Sequence, residues 1–272
     1  KLVEPNYAYF RVTQFQEKTG EDLAKALKKL RAENKFAFNG IILDMRNNPG
    51  GLLNSSVAVS AAFLKEGDLV VYTEGRAPDA KMNLTTAPEN FVRNDPIKNN
   101  FLKDLPVDIK DTPMVVLINN GSASASEIVA GALQDHKRAL IVGTRSFGKG
   151  SVQSIMPMNN GTAIKLTTAR YFTPNGRSIQ GKGIVPDIIV EDGMEAIAVR
   201  ESDLSNILSN PEDDKNKAKD SSTKSDVEKS VPTSNGSEAL RNFKPTELGG
   251  KDDKQFIEAL NILKGIDLYQ KD

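Results

Sequence analysis

Apolar residues along this chain gather in short unbroken runs, and between the runs they recur at helical spacing. The runs at residues 7–12, 38–45, 68–73, 114–118 and 139–142 have the length of strands, and Met114-Val115-Val116-Leu117-Ile118 and Ala139-Leu140-Ile141-Val142 read as buried ones. Residues 20–33 place Leu23, Ala24, Leu27, Leu30 and Ala32 largely on one face and lysines on the other, which predicts a helix; residues 52–64 repeat the spacing. A further helix is predicted over 124–138, with small residues and Glu127 in its first turn and Lys137 and Arg138 in its last, matching the macrodipole at both ends. Strands alternating with helices in this way imply an α/β core around a largely parallel sheet.

Beyond residue 153 the pattern changes. Residues 154–158 and 162–168 read as a hairpin around Asn159-Asn160-Gly161, and 173–184 is rich in glycine and turn formers. Residues 74–111 are long and polar, interrupted by Pro78, Pro88, Pro96 and Pro106, and are expected to be a lid over a site or a disordered insertion. From 201 to 252 Ser, Asp, Lys, Asn and Pro dominate and no apolar period is sustained, the composition of a solvated linker. Residues 254–263 then carry Phe256, Ile257, Leu260 and Leu263 at helical spacing. Such a helix must bury its stripe on its own body or on a neighbouring subunit, and the subunit contact is the first expectation. The chain thus divides into a core at 1–200, a flexible polar linker at 201–252 and a C-terminal amphipathic helix at 253–272, an oligomerisation element.

Composition narrows the chemistry. The 272 residues hold 36 acidic and 36 basic side chains, which gives no reason to expect nucleic acid or an anionic membrane as partner. No apolar run approaches a membrane span. With no cysteine, thiol chemistry and cysteine-based zinc sites are excluded, and no metal or cofactor is expected. Lys1-Leu2-Val3-Glu4 is not a signal peptide.

The candidate chemistry lies between residues 119 and 153. A strand ends at Asn119-Asn120-Gly121, and a helix begins among three serines, Ser122, Ser124 and Ser126. The first N–H groups of that helix have no intrahelical acceptor, so a serine there sits beside ready donors for an oxyanion. The next strand leads to a glycine-flanked lysine, Gly148-Lys149-Gly150. A lysine base must be uncharged, whereas the reference pKa of about 10.4 leaves almost none neutral at pH 7, so an apolar setting is needed; Phe147 and Val152 are its candidate walls. His136, the sole histidine, lies twelve positions from Ser124 on the same predicted helix, roughly 18 Å away at about 1.5 Å per residue, which excludes a Ser/His/Asp triad. Residues 143–149 also fit the phosphate-binding pattern G-x-x-x-x-G-K, but Gly150 stands where Ser or Thr must hold magnesium, and a strand rather than a helix follows. A second glycine-rich loop, Asp44-Met45-Arg46-Asn47-Asn48-Pro49-Gly50-Gly51, follows another strand. Its glycines allow either a tight turn or close approach of a backbone N–H to a substrate.

Ser122-Ala123-Ser124-Ala125-Ser126-Glu127-Ile128, with Phe147-Gly148-Lys149-Gly150 and Gln153, resembles the carboxy-terminal processing proteases, the tail-specific Ser/Lys peptidases of family S41. The resemblance spans residues 7–190, with a weaker echo in the last helix. It implies a crotonase- or Clp-protease-like β/α spiral and a serine endopeptidase that cleaves proteins near their C-termini through an acyl-enzyme. It assigns Ser124 as nucleophile, Lys149 as base and Gln153 as the residue that orients the lysine. The oxyanion donors it implies are the Ala125 amide and that of Gly50 or Gly51, with Glu127 and Asp135 as auxiliary acids. It also implies a periplasmic location and protein or peptide substrates; a homo-oligomer through the last helix and an adaptor protein are further expected partners. The family usually carries a PDZ domain ahead of this region, whereas this chain opens on the first core strand, which bears on C-terminal selectivity and on whether the site is active. The alternatives are a catalytically idle scaffold of the same fold and a P-loop-type nucleotide binder.

Overall fold

The computed structural model of the protein describes residues 1–76, 80–191, 199–204, 208–210 and 247–270. Strands β1 (Leu2–Glu4), β2 (Tyr7–Arg11), β3 (Gly40–Asp44), β6 (Met114–Ile118), β7 (Leu140–Gly143) and β10 (Ile188–Ile189) form one sheet in the order β1-β2-β3-β6-β7-β10. All its neighbours pair in parallel except β1 with β2. A second, antiparallel sheet takes β4 (Leu69–Gly75), β5 (Met82–Thr85), β8 (Ser151–Pro157) and β9 (Ala163–Phe172) in the order β5-β4-β9-β8. The helices are α1 (Thr19–Glu33), α2 (Leu53–Ala61), α3 (Ala125–Asp135) and α4 (Lys254–Gln270). The α/β core with a C-terminal helical extension is therefore the fold class expected from the sequence.

The unbroken apolar runs have a simple cause: both faces of the parallel sheet are covered, so neither alternate set of side chains can be polar. Ala8, Phe10, Ile41, Leu43, Val116, Ile118 and Ile141 pack in the larger core with residues of α1, α2 and α3. Tyr7, Tyr9, Ile42, Val115, Leu117 and Val142 face the other way and meet Phe256, Ala259, Leu260 and Leu263 of α4. Phe256, Leu260 and Leu263 of the stripe thus lie on the chain's own sheet, the second of the two placements the sequence allowed, while Ile257 stays exposed. Gly40 fits beneath the helix, since a Cβ there would stand 2.8 Å from Leu263 Cδ1.

Residues 80–111 are a structured part of the fold and not a disordered insertion. They contain β5 and two short 3-10 helices, and they send Phe91, Val92 and Ile109 into the main core. Phe91 also meets Phe101 edge-on, with ring centroids 5.6 Å apart. Prolines in this stretch start turns and 3-10 helices, with Pro88 at the first position of one, so a polar and proline-rich sequence still closes on apolar anchors. Residues 77–79, and most of the predicted linker at 201–252, lie outside the described residues. The described parts of that stretch touch the core: the Glu201 N–H donates to the Phe147 carbonyl at 3.0 Å, and Asn210 Nδ2 to the Gln180 carbonyl at 2.6 Å.

Candidate active site

Because β3, β6 and β7 run parallel, the loops that follow them emerge on one edge of the sheet, the place where open α/β sheets bind ligands. These are the loops at 45–52, 119–124 and 144–150, and short polar side chains tie them together. Ser122 Oγ donates to the Met45 carbonyl at 2.8 Å, and Ser126 Oγ and the Ala123 N–H both donate to the Asn48 carbonyl, at 2.9 and 3.0 Å. Asn47 and Asn119 exchange bonds of 2.9 and 2.8 Å. The Phe147 N–H reaches the Ser122 carbonyl at 3.0 Å, which joins the third loop to the second.

Ser124 caps α3 in an uncommon backbone conformation, φ 55° and ψ −111°. A side chain other than glycine rarely takes positive φ, and where it does the strain belongs to a sharp strand-to-helix turn that presents the residue. The turn leaves the Ala125 N–H, at the positive end of α3, without an acceptor among the described residues. Gly50 lies against this turn: a Cβ added to it would stand 2.6 Å from the Ala123 carbonyl oxygen and 2.9 Å from both Ser124 Cβ and Ala125 N, at a φ of +97°. The Gly50 N–H is already engaged, donating to Asn48 Oδ1 at 2.9 Å, whereas that of Gly51 has no acceptor among the described residues.

Glu127 links the serine to the lysine. Its carboxylate is fully buried and accepts four hydrogen bonds: Ser124 N–H (2.7 Å) and Lys149 N–H (2.9 Å) on Oε2, and Gly148 N–H (2.6 Å) and the Ser146 hydroxyl (2.6 Å) on Oε1. Ser124 and Lys149 therefore have backbone nitrogens within two hydrogen-bond lengths of each other. Lys149 is half-buried, and no hydrogen bond joins its Nζ to Ser124 Oγ.

A model of peptidase family S41 matches residues 6–190. The chain belongs to peptidase family S41. Among S41 relatives, it is 49% identical over 190 residues to the carboxy-terminal-processing protease of Bartonella bacilliformis, covering 70% of this chain and 40% of that protein. It is 38% identical over 190 residues to the carboxyl-terminal-processing protease of Synechocystis sp., covering 70% of this chain and 39% of the relative. The solved photosystem II D1 C-terminal processing protease superposes with a TM-score of 0.53 at 33% identity, over 67% of this chain and 42% of that one. The chain thus spans about 40% of the length of these curated relatives.

Within this S41 core the remaining residues singled out from the sequence fall at different distances from the serine. Gln153 is exposed on β8 beside a bulge between Val152 and Gln153, and its side chain makes no hydrogen bond to Lys149. Asp135 ends α3, far from Ser124; it accepts from Arg177 Nη2 and from the Asn175 N–H (2.9 Å), pinning the loop at 173–184. That loop backs the lysine, with the Gly181 N–H donating to the Gly148 carbonyl (2.8 Å) and Gln180 Oε1 accepting from Gly150 N–H (3.2 Å). His136 caps the far end of α3 and bonds the Leu69 carbonyl at 2.7 Å, so it takes no part in the site. Residues 151–157 are a strand, so no helix N-terminus follows Lys149 and the phosphate-loop reading is overturned. Among the described residues no group of His, Asp and Glu could hold a metal, and no helix is long and apolar enough to cross a membrane. Sequence reasoning passed over Ser146 and gave no tying role to Asn48 or Ser126; short polar residues in the loops after buried strands were the available signal for the first two, since such side chains bond nearby backbone.

Burial pushes the Glu127 carboxyl up to about 7, against the pull of its four donors. The folded chain then holds this proton more tightly than the unfolded one, whose carboxyl titrates near 4.5. Its contribution to stability is full below pH 4.5 and is lost as pH rises through about 7. Urea titrations are expected to show unfolding free energy falling over that window by up to about 3 kcal/mol more in the wild type than in Glu127→Gln. Parallel pH profiles in the two proteins would show that this carboxyl titrates as an exposed one does.

Proposed function

We propose that this chain is the catalytic core of a serine endopeptidase that cleaves protein substrates near their C-termini, with Ser124 as nucleophile and Lys149 as general base. The observation that carries the reading is the sharing of Glu127 Oε2 by the backbone amides of Ser124 and Lys149 at the start of α3. One buried carboxylate holds the two backbones close, and the flexible four-carbon stem of a lysine allows its amine to reach the hydroxyl.

In this mechanism the neutral Lys149 amine takes the proton of Ser124 Oγ as the oxygen bonds to the scissile carbonyl carbon. The Ala125 N–H, the first free donor of α3, receives the oxyanion. The second donor is Gly51 rather than Gly50, because the Gly50 amide is held by Asn48 Oδ1. Lys149 returns its proton to the departing amine, then accepts one from the water that attacks the acyl ester and passes it to the departing Ser124 Oγ, which restores both groups. Gln153 is assigned to the Lys149 amine in the substrate complex, and Asp135 supports the lysine indirectly through the 173–184 loop. The proposal includes a periplasmic location, from the family resemblance, and protein or peptide substrates.

Incubation with a fluorophosphonate probe, followed by peptide mapping, tests the reading. A single adduct on Ser124 is expected; a chain that folds and takes no adduct is a scaffold rather than a peptidase.

A further inference from the structure

The loop at 45–52 is anchored from an unexpected direction. Arg46, 2% exposed, makes a two-pronged contact with Asp44 (Nε to Oδ1 3.0 Å, Nη2 to Oδ2 2.6 Å) and a second with Asp253, just ahead of α4 (Nη1 to Oδ1 2.7 Å, Nη2 to Oδ2 2.6 Å). Nη1 also donates to Gln255 Oε1 at 3.0 Å, so every N–H of the guanidinium has an acceptor. The carboxylates are equally engaged. Asp44 accepts from Tyr9 OH (2.7 Å), and Asp253 from the N–H groups of Gly249 (2.7 Å) and Phe256 (3.1 Å).

Three charges buried together are a poor means of stabilising a fold, because desolvation offsets most of their attraction. The apolar stripe of α4 is sufficient to dock the helix. What the ionic cluster adds is position: it fixes Arg46, whose next residue, Asn47, turns the chain at positive φ toward Asn48, Gly50 and Gly51. Resting on the peptidase reading above, we infer that Asp253 is a positioning residue for the reaction, acting through Arg46 to hold the glycine loop against the Ser124 turn. The catalytic frame then includes a residue from the far side of the 201–252 stretch.

Saturation labelling of the full chain with a fluorophosphonate separates this from a merely structural role. Asp253→Asn keeps an oxygen to cap α4 and leaves Asp44 and Arg46 balanced in charge, so the fold survives. Its maximal rate of Ser124 labelling is expected to fall about tenfold, or about 1.4 kcal/mol, with the half-saturating concentration unchanged. The reference variant is Leu263→Ala, which loosens the same helix by removing a fully buried side chain but leaves the cluster intact. It should lose thermal stability and keep the wild-type maximal rate. If Asp253→Asn labels as fast as wild type, or slows no more than Leu263→Ala, the inference is overturned. Should Asp253→Asn not fold, Asp253→Ser, which retains a capping hydroxyl, is read against the same reference. A wild-type chain that takes no label fails the Ser124 reading alone. Hydrogen exchange then decides: faster exchange at Asn48 and Gly50 in Asp253→Asn but not in Leu263→Ala supports the inference, and equal exchange overturns it.

Discussion

Lys149→Ala is expected to lower kcat/KM on an unfolded protein substrate by about ten-thousand-fold, the upper range for losing a general base. That corresponds to about 5.4 kcal/mol of transition-state stabilisation. Without the amine, Ser124 remains in its turn, and the donors for the oxyanion are undisturbed, so substrate binding should change little and the loss should appear in kcat. The protein should also remain folded, because the bond from residue 149 to Glu127 is made by its backbone N–H and not by its side chain. Equal urea midpoints in the two proteins would verify that point. Lys149→Arg should be as inactive as the alanine variant, since a guanidinium does not give up its proton at any working pH. Activity in Lys149→Ala within tenfold of wild type would remove the lysine from the mechanism.

Gly50→Ala is expected to reduce activity by at least a thousandfold. The added methyl meets backbone on one side and Ser124 Cβ on the other, and neither can rotate away. Relief comes only if the 45–52 loop shifts off the Ser124 turn, which moves the Gly51 amide from the oxyanion by a distance that catalysis does not tolerate. Crowding contributes about 1–3 kcal/mol of destabilisation and the φ of +97° adds about 1–2 kcal/mol. Denaturant unfolding would measure that loss, while labelling of Ser124 in the still-folded fraction would measure the displacement. Wild-type labelling in a destabilised Gly50→Ala protein would mean that the loop and the serine turn are independent.

Met114–Ile118 is found residue for residue where its apolar run predicted it, and the three loops that follow parallel strands were foreseeable from the order of strands and helices. Strands β1 and β5 were not, because three- and four-residue edge strands carry too few positions to display a period. Glu127 was visible as a first-turn acid, but its burial depends on the 146–149 segment arriving from the next strand. The bonds of Ser122 and Ser126 to residues 77 and 78 positions away are of the same kind: composition offers donors, and only the fold chooses acceptors. The last helix shows the limit clearly. Its stripe announced that something must cover it, while the complementary face was written in the alternate positions of β3, β6 and β7, which an unbroken apolar run conceals.

The union of Arg46 with Asp253 spans 207 positions of sequence. Contacts of such separation close late, because a long loop must be closed to form them. During folding, β2, β3, β6 and β7 can pair into a sheet before residue 253 docks beside it. A chain at that stage holds Ser124 and Lys149 but has an untethered glycine loop. Under the proposed mechanism, a partly folded copy would have no fixed oxyanion loop until the last helix had docked.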